Sequence, residues 1–325
     1  MTKISVALCT YNGEKFIRTQ IDSILNQTLK VDEILVCDDG STDQTKNILS
    51  EYKNKFPSIF KIHFNEKNLR SVKNFEKAIS LCEGDIIFLS DQDDKWKNDK
   101  VEKMLDYFQK NPQISVLATN GFALDDNDVL IEKYSLWDAP EFLREKNLDV
   151  NYFKIISYVS NIATGASMAI RKDYLEKIIP FPILEGLHHD EWIALVSSSE
   201  NKFELLNEKL FYYREHSNQQ VGGVFFDKAP EEKKFLIQFF DLSLSQLDFS
   251  SFKKLIKKLS ISFKKSKTLL SKVNDKEKFH FIEENIPIIE KEYYTAKKIM
   301  SEKYPVRTFL LNITDKILNK RKLDK

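Results

Sequence analysis

Asp85-Ile86-Ile87-Phe88-Leu89-Ser90-Asp91-Gln92-Asp93-Asp94 is a short apolar run that ends in three carboxylates within four residues. The apolar part is too short for a helix and carries two β-branched isoleucines, so it reads as a buried strand of a largely parallel sheet. Like charges this close repel, and where a strand leaves a sheet a cation between them relieves the repulsion. Hard oxygen donors favour magnesium or manganese, whereas zinc usually recruits His or Cys. Taken alone, the run also fits a solvated acidic turn. A calcium loop fits poorly: Asp91, Asp93 and Glu102 fall near its spacing, but Trp96 stands where glycine is required.

Strands and helices alternate on either side of this run. Ile4 to Cys9, Glu33 to Cys37, Ile59 to Phe64, Asp85 to Leu89 and Ile114 to Thr119 read as strands. Between them, helices are expected over Glu14 to Gln27, from the capping residues Ser41-Thr42-Asp43 to about Tyr52, from Ser71 to Cys82 before Gly84, and from Asp99 to Gln109. Strands separated by helices imply an α/β, doubly wound and mostly parallel sheet with helices on both faces. Ligands of such sheets bind beyond the carboxyl ends of the strands. Three polar motifs occupy those ends: Thr10-Tyr11-Asn12-Gly13, Asp38-Asp39-Gly40-Ser41-Thr42-Asp43 and the acidic run. Neither the dinucleotide fingerprint nor a P-loop is present.

Residues 120–160 show several aromatics and no clear period. Asn161 to Arg171 reads as a turn leading into a short strand, in which Gly165 and Ala166 leave room for a ligand or a packing neighbour. His188-His189-Asp190-Glu191-Trp192 opens another helix, Phe203 to Leu206 is a strand, and Tyr212 to Asn218 is a polar loop that closes with Gly222-Gly223.

The 325 residues are 42% hydrophobic and 30% charged, an ordinary globular composition with room for a catalytic domain over 1–228 and an accessory region over 229–325. The net charge of +1 conceals an asymmetry. Residues 230–325 hold 22 Lys and Arg against 13 Asp and Glu, a surplus of nine, which leaves residues 1–229 negative by eight. In the basic region Phe252, Leu255, Ile256, Leu259, Phe263 and Leu270 lie near one helical face, and residues 252–272 carry eight lysines and no acid. That pattern suits a helix lying on an anionic membrane, or one packed on the catalytic domain with a solvated basic face. It contains no nucleic-acid recognition motif. No run of about 18 apolar residues is available to span a membrane. Cys9, Cys37 and Cys82 show neither zinc nor redox spacing and read as reduced packing residues of a cytoplasmic protein, consistent with Met1-Thr2-Lys3 leading straight into a strand without a signal peptide.

Ser5 to Asn12, Asp38 to Asp43, Asp91 to Asp94 and His189 to Trp192, in that order, resemble the inverting nucleotide-sugar glycosyltransferases of family 2, which have the GT-A fold. The resemblance covers about residues 1–225. Leu89 to Trp96 together with Tyr213 to Asn218 is most similar to the bacterial rhamnosyltransferase-like branch. The resemblance implies a divalent metal, Mg2+ or Mn2+, held by Asp91, Asp93, Asp94 and His216 against the donor's diphosphate. It also implies donor contacts from Thr10, Tyr11, Asn12, Asp39, Lys73, Asp91 and Arg214, with Lys73 standing where many relatives carry arginine, and it leaves Asp38 either structural or at the nucleotide. Asp190 falls at the family's catalytic base, with Glu191 as fallback and an N-terminal helix cap as the plain alternative. Arg214 and His216 are expected in a loop beyond the core sheet. The expected activity is transfer of a sugar, with rhamnose from dTDP-rhamnose as first choice and a UDP-hexose or UDP-N-acetylhexosamine as alternatives. The expected acceptor is a lipid-linked glycan of a bacterial surface polysaccharide, met at the inner face of the cell membrane. A non-catalytic nucleotide-sugar-binding subunit would be expected to have lost a metal carboxylate or the base, and all four are retained. A nucleotidyltransferase would need a glycine- and lysine-rich loop after the first strand, where only Gly13 and Lys15 occur.

Overall fold

Ile4–Thr10 (β1) is buried along its whole length and forms the centre of the sheet. The computed structural model describes residues 2–216, 223–244 and 247–323. The first half of the chain follows as α1 (Ile17–Leu25), β2 (Glu33–Asp38), α2 (Thr45–Lys55), β3 (Phe60–Phe64), α3 (Arg70–Leu81), β4 (Ile86–Ser90), β5 (Lys95–Trp96), α4 (Lys100–Lys110) and β6 (Val116–Leu124). Short elements come next: β7 (Leu130–Ile131), β8 (Lys133–Ser135), α5 (Ala139–Arg144), α6 (Tyr152–Lys154), β9 (Ala169–Arg171) and α7 (Leu175–Ile178). The remainder is α8 (His189–Ser199), β10 (Phe203–Arg214), β11 (Phe225–Asp227) and the helices α9 (Pro230–Phe240), α10 (Phe249–Lys272), α11 (His280–Lys303) and α12 (Pro305–Leu318).

The chain forms two compact units, one of residues 1–138, 162–181 and 186–233, the other of residues 139–161, 182–185 and 234–325. The first contains a nine-stranded sheet ordered β3-β2-β1-β4-β9-β6-β10-β5, with β7 paired to β6. β3, β2, β1 and β4 run parallel, and β10 runs parallel to β6. Because β1, β2 and β4 are covered on both faces, their sequences are continuous apolar runs and not alternating ones. β9 is antiparallel to both β4 and β6, and β5 antiparallel to β10, so the sheet is mixed where a wholly parallel reading would be too simple.

The strand expected over Phe203 to Leu206 continues to Arg214. Polar Asn207, Glu208 and Lys209 conceal the continuation, and register shifts on either side of Lys209 absorb the irregularity before pairing with β6 resumes. Arg214 is therefore the last residue of a core strand, paired with Leu124, and not part of a loop beyond the sheet.

In the second unit Phe252, Leu255, Ile256, Leu259 and Phe263 of α10 pack with Ile289, Tyr293, Ala296 and Met300 of α11. The helical face that the sequence offered to a membrane or to the catalytic domain is thus buried against α11. Among the described residues no helix is long and apolar enough to cross a membrane.

Candidate active site

Helix α1 turns Gln20 and Ser23 inward on an otherwise apolar face, and Gln27, just past its C-terminal end, is buried beside them. Gln20 Nε2 donates to Ser90 Oγ at 2.7 Å, Trp96 N donates to Ser23 Oγ at 2.9 Å, and Gln27 bonds Lys97 O and Val101 N. These contacts hold both flanks of the acidic run. Its middle is held by Gln92, whose amide accepts from Tyr11 N and donates to Tyr11 O at 2.8 and 2.9 Å. A Cβ at Gly13 would lie 2.2 Å from Gln92 Oε1, so glycine there permits the clamp. The Tyr11 ring remains exposed, with a face available for stacking.

The first two strand ends are tied internally. Thr10 Oγ1 donates to Asp38 at 2.9 Å, and Asp38 also accepts from Ser41 N, so buried Asp38 joins β1 to the loop after β2. Asp39 accepts from Leu69 N, Arg70 N and Asn65 Nδ2 at 2.7–2.8 Å and anchors the start of α3. Asn12, at φ 50°, donates its amide to Ser41 Oγ and accepts from Thr42 N on its side chain. Lys73 binds Glu76 at 2.8 Å and the Phe181 carbonyl at 2.9 Å.

The acidic run meets the end of β10. Arg214 is almost fully buried, with Nε on Asp93 O and Nη1 on Asp125 O at 2.9 Å each, Nη2 on Asp128, and its guanidinium 4.4 Å from the Phe16 ring centre. It shapes the backbone of the run through carbonyl contacts. His216 Nε2 lies 2.9 Å from Asp93 Oδ2. Asp94 accepts from Arg214 N on one oxygen, and its other oxygen is buried with no hydrogen-bond partner among the described residues. Burial and the charges of Asp93 and Asp190 push Asp91 up to about 8; burial with Asp93 and Asp91 raises Asp94 as well. Tyr213 is raised by burial and by the charges of Asp94, Asp91, Asp93 and Asp190, so its phenol shares the neighbourhood of all four carboxylates. The loop residues Ser217, Asn218 and Gly222 lie outside the described residues.

Lys100, which sequence reasoning passed over as a helix residue, is fully buried beneath this cluster. Its ammonium donates to Ala166 O at 2.6 Å and sits 4.2 Å from the Trp96 ring centre. Burial lowers it to about 7, while Asp94 and Asp91 favour its charged form. The available signal was a lysine four residues after Trp96 on the apolar face of α4, beside Val101, Met104 and Leu105.

Asp190 lies in the first turn of α8, and the capping position is His188, so the helix-cap reading does not hold. Its carboxylate accepts from Glu191 N at 2.6 Å and Gly165 N at 3.2 Å, and burial, its largest influence, brings it up to about 6. Lys100 and Asp190 thus grip the same Gly165-Ala166 turn from opposite chemistries, one through a carbonyl and one through an amide. The space at Gly165 belongs to a packing neighbour, because a Cβ there would lie 2.5 Å from His189 Nε2. His189 is buried, stacks on Phe75 at 3.9 Å, and is lowered by burial to about 3, so it is neutral.

The four expected metal ligands do not form a cage: among the described residues no cluster of three or more His, Cys, Asp or Glu side chains could by itself hold a metal ion. Arg214 N occupies one Asp94 oxygen and His216 occupies Asp93. The donor set still suits a hard cation. Asp94 keeps an unpartnered buried oxygen, the carboxylates depress one another's ionisation, and magnesium-type ions are commonly held by one or two carboxylates with substrate phosphates completing the shell.

A mixed, mostly parallel sheet with carboxylates at its strand ends and a helical C-terminal region is the architecture of a GT-A glycosyltransferase. The chain belongs to glycosyl transferase family 2, whose model matches residues 5–179. It is 30% identical to chondroitin synthase of Escherichia coli over 230 residues, 67% of this chain but 33% of that protein. Among solved structures it resembles S. aureus TarS 1–349 in complex with UDP-GlcNAc, with a TM-score of 0.52, 17% identity, and coverage of 93% of this chain and 91% of that one. It also resembles the mannosyltransferase PcManGT from Pyrobaculum calidifontis in complex with GDP-Man and Mn2+, with a TM-score of 0.51, 14% identity, and coverage of 98% and 80%.

Proposed function

We propose that this glycosyltransferase transfers a sugar with inversion from a nucleotide-sugar donor to a hydroxyl of a growing, lipid-linked glycan in surface polysaccharide synthesis, at the cytoplasmic face of an anionic membrane. The observation that carries the reading is that Asp190, through Gly165 N, and Lys100, through Ala166 O, hold one turn, which supports placing Asp190 beside the carboxylates that end β4. Chondroitin synthase and the complexes of TarS with UDP-GlcNAc and PcManGT with GDP-Man support the class of donor and product.

In the proposed reaction Asp190 accepts the proton of the acceptor hydroxyl. The oxygen then bonds to the anomeric carbon from the face opposite the donor's diphosphate, and the bond to the diphosphate oxygen breaks with its electron pair. Asp190 at about 6 is ionised at neutral pH and basic enough for this task. Tyr11 offers a stacking face to the nucleobase, with Thr10, Asn12 and Asp39 shaping the nucleotide floor. Asp91, Asp94 and the pair Asp93–His216 would hold Mg2+ or Mn2+, which supplies charge neutralisation for the departing diphosphate. Arg214 supports that site by fixing the Asp93 carbonyl.

The donor proposed first is dTDP-rhamnose, on the resemblance of Leu89 to Trp96 and the segment after Tyr213 to the rhamnosyltransferase-like branch. UDP-hexoses and UDP-N-acetylhexosamines are the competing donors. Thermal-shift measurements with UDP-, GDP- and dTDP-sugars, with and without Mn2+, decide between them. Stabilisation by a single nucleotide class that requires the metal is expected; no metal-dependent stabilisation by any donor would overturn the proposal.

A further inference from the structure

The C-terminal helix α12 is turned against the usual burial pattern. Its buried residues are polar: Thr308, whose hydroxyl donates to Met300 O at 3.1 Å, and Asp315, paired with Arg321. Its exposed residues include Val306 (72%), Phe309 (65%), Leu310 (57%), Ile313 (44%) and Ile317 (75%). Spacings of three, one, three and four residues place these five on one side of a helix, within a stripe about 100° wide. Leu311, on another face, packs toward the core of the second unit, so the helix is attached there while the stripe stays outside.

Charge selects the occupant. Residues 305–323 hold five basic residues, Arg307, Lys316, Lys320, Arg321 and Lys322, and a single acid, Asp315, which is already paired with Arg321. On a helical projection Lys316 and Arg307 flank the apolar stripe on its two sides. An apolar stripe bordered by basic side chains matches a bilayer interface with anionic headgroups, where the apolar side chains enter the acyl boundary and the cations meet phosphate. A second copy of this chain would bring its own surplus of basic residues against these.

We infer that α12 is the element that seats this protein in the plane of an anionic membrane. The inference deepens the membrane part of the proposed function and moves it from the apolar face of α10, buried against α11, to the exposed face of α12.

Flotation of the full chain with vesicles of phosphatidylglycerol and phosphatidylethanolamine, and with pure phosphatidylcholine, tests it. The chain should float with the anionic vesicles and not with the neutral ones. The variant Phe309→Ser/Ile313→Ser/Ile317→Ser should lose roughly a hundredfold in binding, and Arg307→Gln/Lys316→Gln/Lys320→Gln about tenfold or more, both with an unaltered melting temperature and donor-induced thermal shift. If the parent floats and the serine variant floats equally, α12 is not the anchor, although membrane contact itself stands. If the parent fails to float with anionic vesicles, both readings fall. A parent that sediments as a dimer, becomes monomeric on serine substitution and ignores vesicles would assign the stripe to a second copy and overturn the inference.

Discussion

The two units break the rule of apolar inside and polar outside in opposite directions. In the first, Lys100, Arg214 and Asp94 are drawn into the interior around the strand ends, and each charge is held by backbone groups or by a neighbouring charge. In the second, α12 buries Thr308 and Asp315 and leaves six large apolar side chains outside, five of them in one stripe. Buried charge costs free energy that only a precise arrangement offsets, and exposed apolar surface is stable in water but predisposed to a partner. The comparison teaches that one departure builds a rigid chemical site and the other a surface for contact, and that substitutions should affect them differently.

The largest effect is expected at the proposed base. Asp190→Asn should lower kcat by about 100- to 10,000-fold while donor binding is retained, as measured by steady-state transfer and by thermal shift. A parental rate would remove Asp190 from the chemistry. Next comes Lys100→Met, which leaves Asp91, Asp94 and Ala166 O without their buried cation; urea unfolding should show a loss of about 3–5 kcal/mol. An unchanged midpoint would mean that the interior charge of the first unit contributes nothing to its stability.

A smaller effect reports the cost of holding the Asp190 carboxylate in this site. The folded-state value of Asp190, about 6, lies above the ordinary 3.8, so the stability contributed by its bound proton is fully present below about pH 4 and is lost as pH rises through 6. Asp190→Asn removes that penalty. Its melting temperature should exceed the parent's by about 2–4 °C above pH 7 and match it at pH 4. The smallest stability change belongs to α12: Phe309→Ser/Ile313→Ser/Ile317→Ser should change unfolding free energy by no more than about 0.5 kcal/mol in total, because Phe309 and Ile317 are mostly exposed and Ile313 is about half exposed. A large destabilisation would show that the stripe is part of a core after all and erase the contrast between the units.

Much of the first unit was legible in the sequence. Buried parallel strands must be apolar on both faces, so β1, β2 and β4 declare themselves as continuous runs, and the polar residues that follow each must lie at the carboxyl edge. The acidic run could be named for the same reason, because carboxylates beside such a strand are unusual; Asp190 was named only through the resemblance of His189 to Trp192 to the family. The clamp from Gln20, Ser23 and Gln27 was harder to read, since polar residues at helical spacing usually mark a solvated face, and only the approach of residues 90–101 turns that row inward. The antiparallel pairing of β9 depends on which strands its three residues meet, information that no local pattern carries.

The strand and helix alternation, the carboxylates at the strand ends, and the basic, apolar-striped character of the C-terminal helices are written locally in the chain, because periodicity and charge are local properties. That Arg214 closes a core strand, that Lys100 lies under the carboxylates, and that α10 hides its stripe while α12 exposes one emerge from packing between segments far apart in the chain. A helical stripe specifies that a face seeks apolar company, and distant segments settle whether the chain itself supplies it.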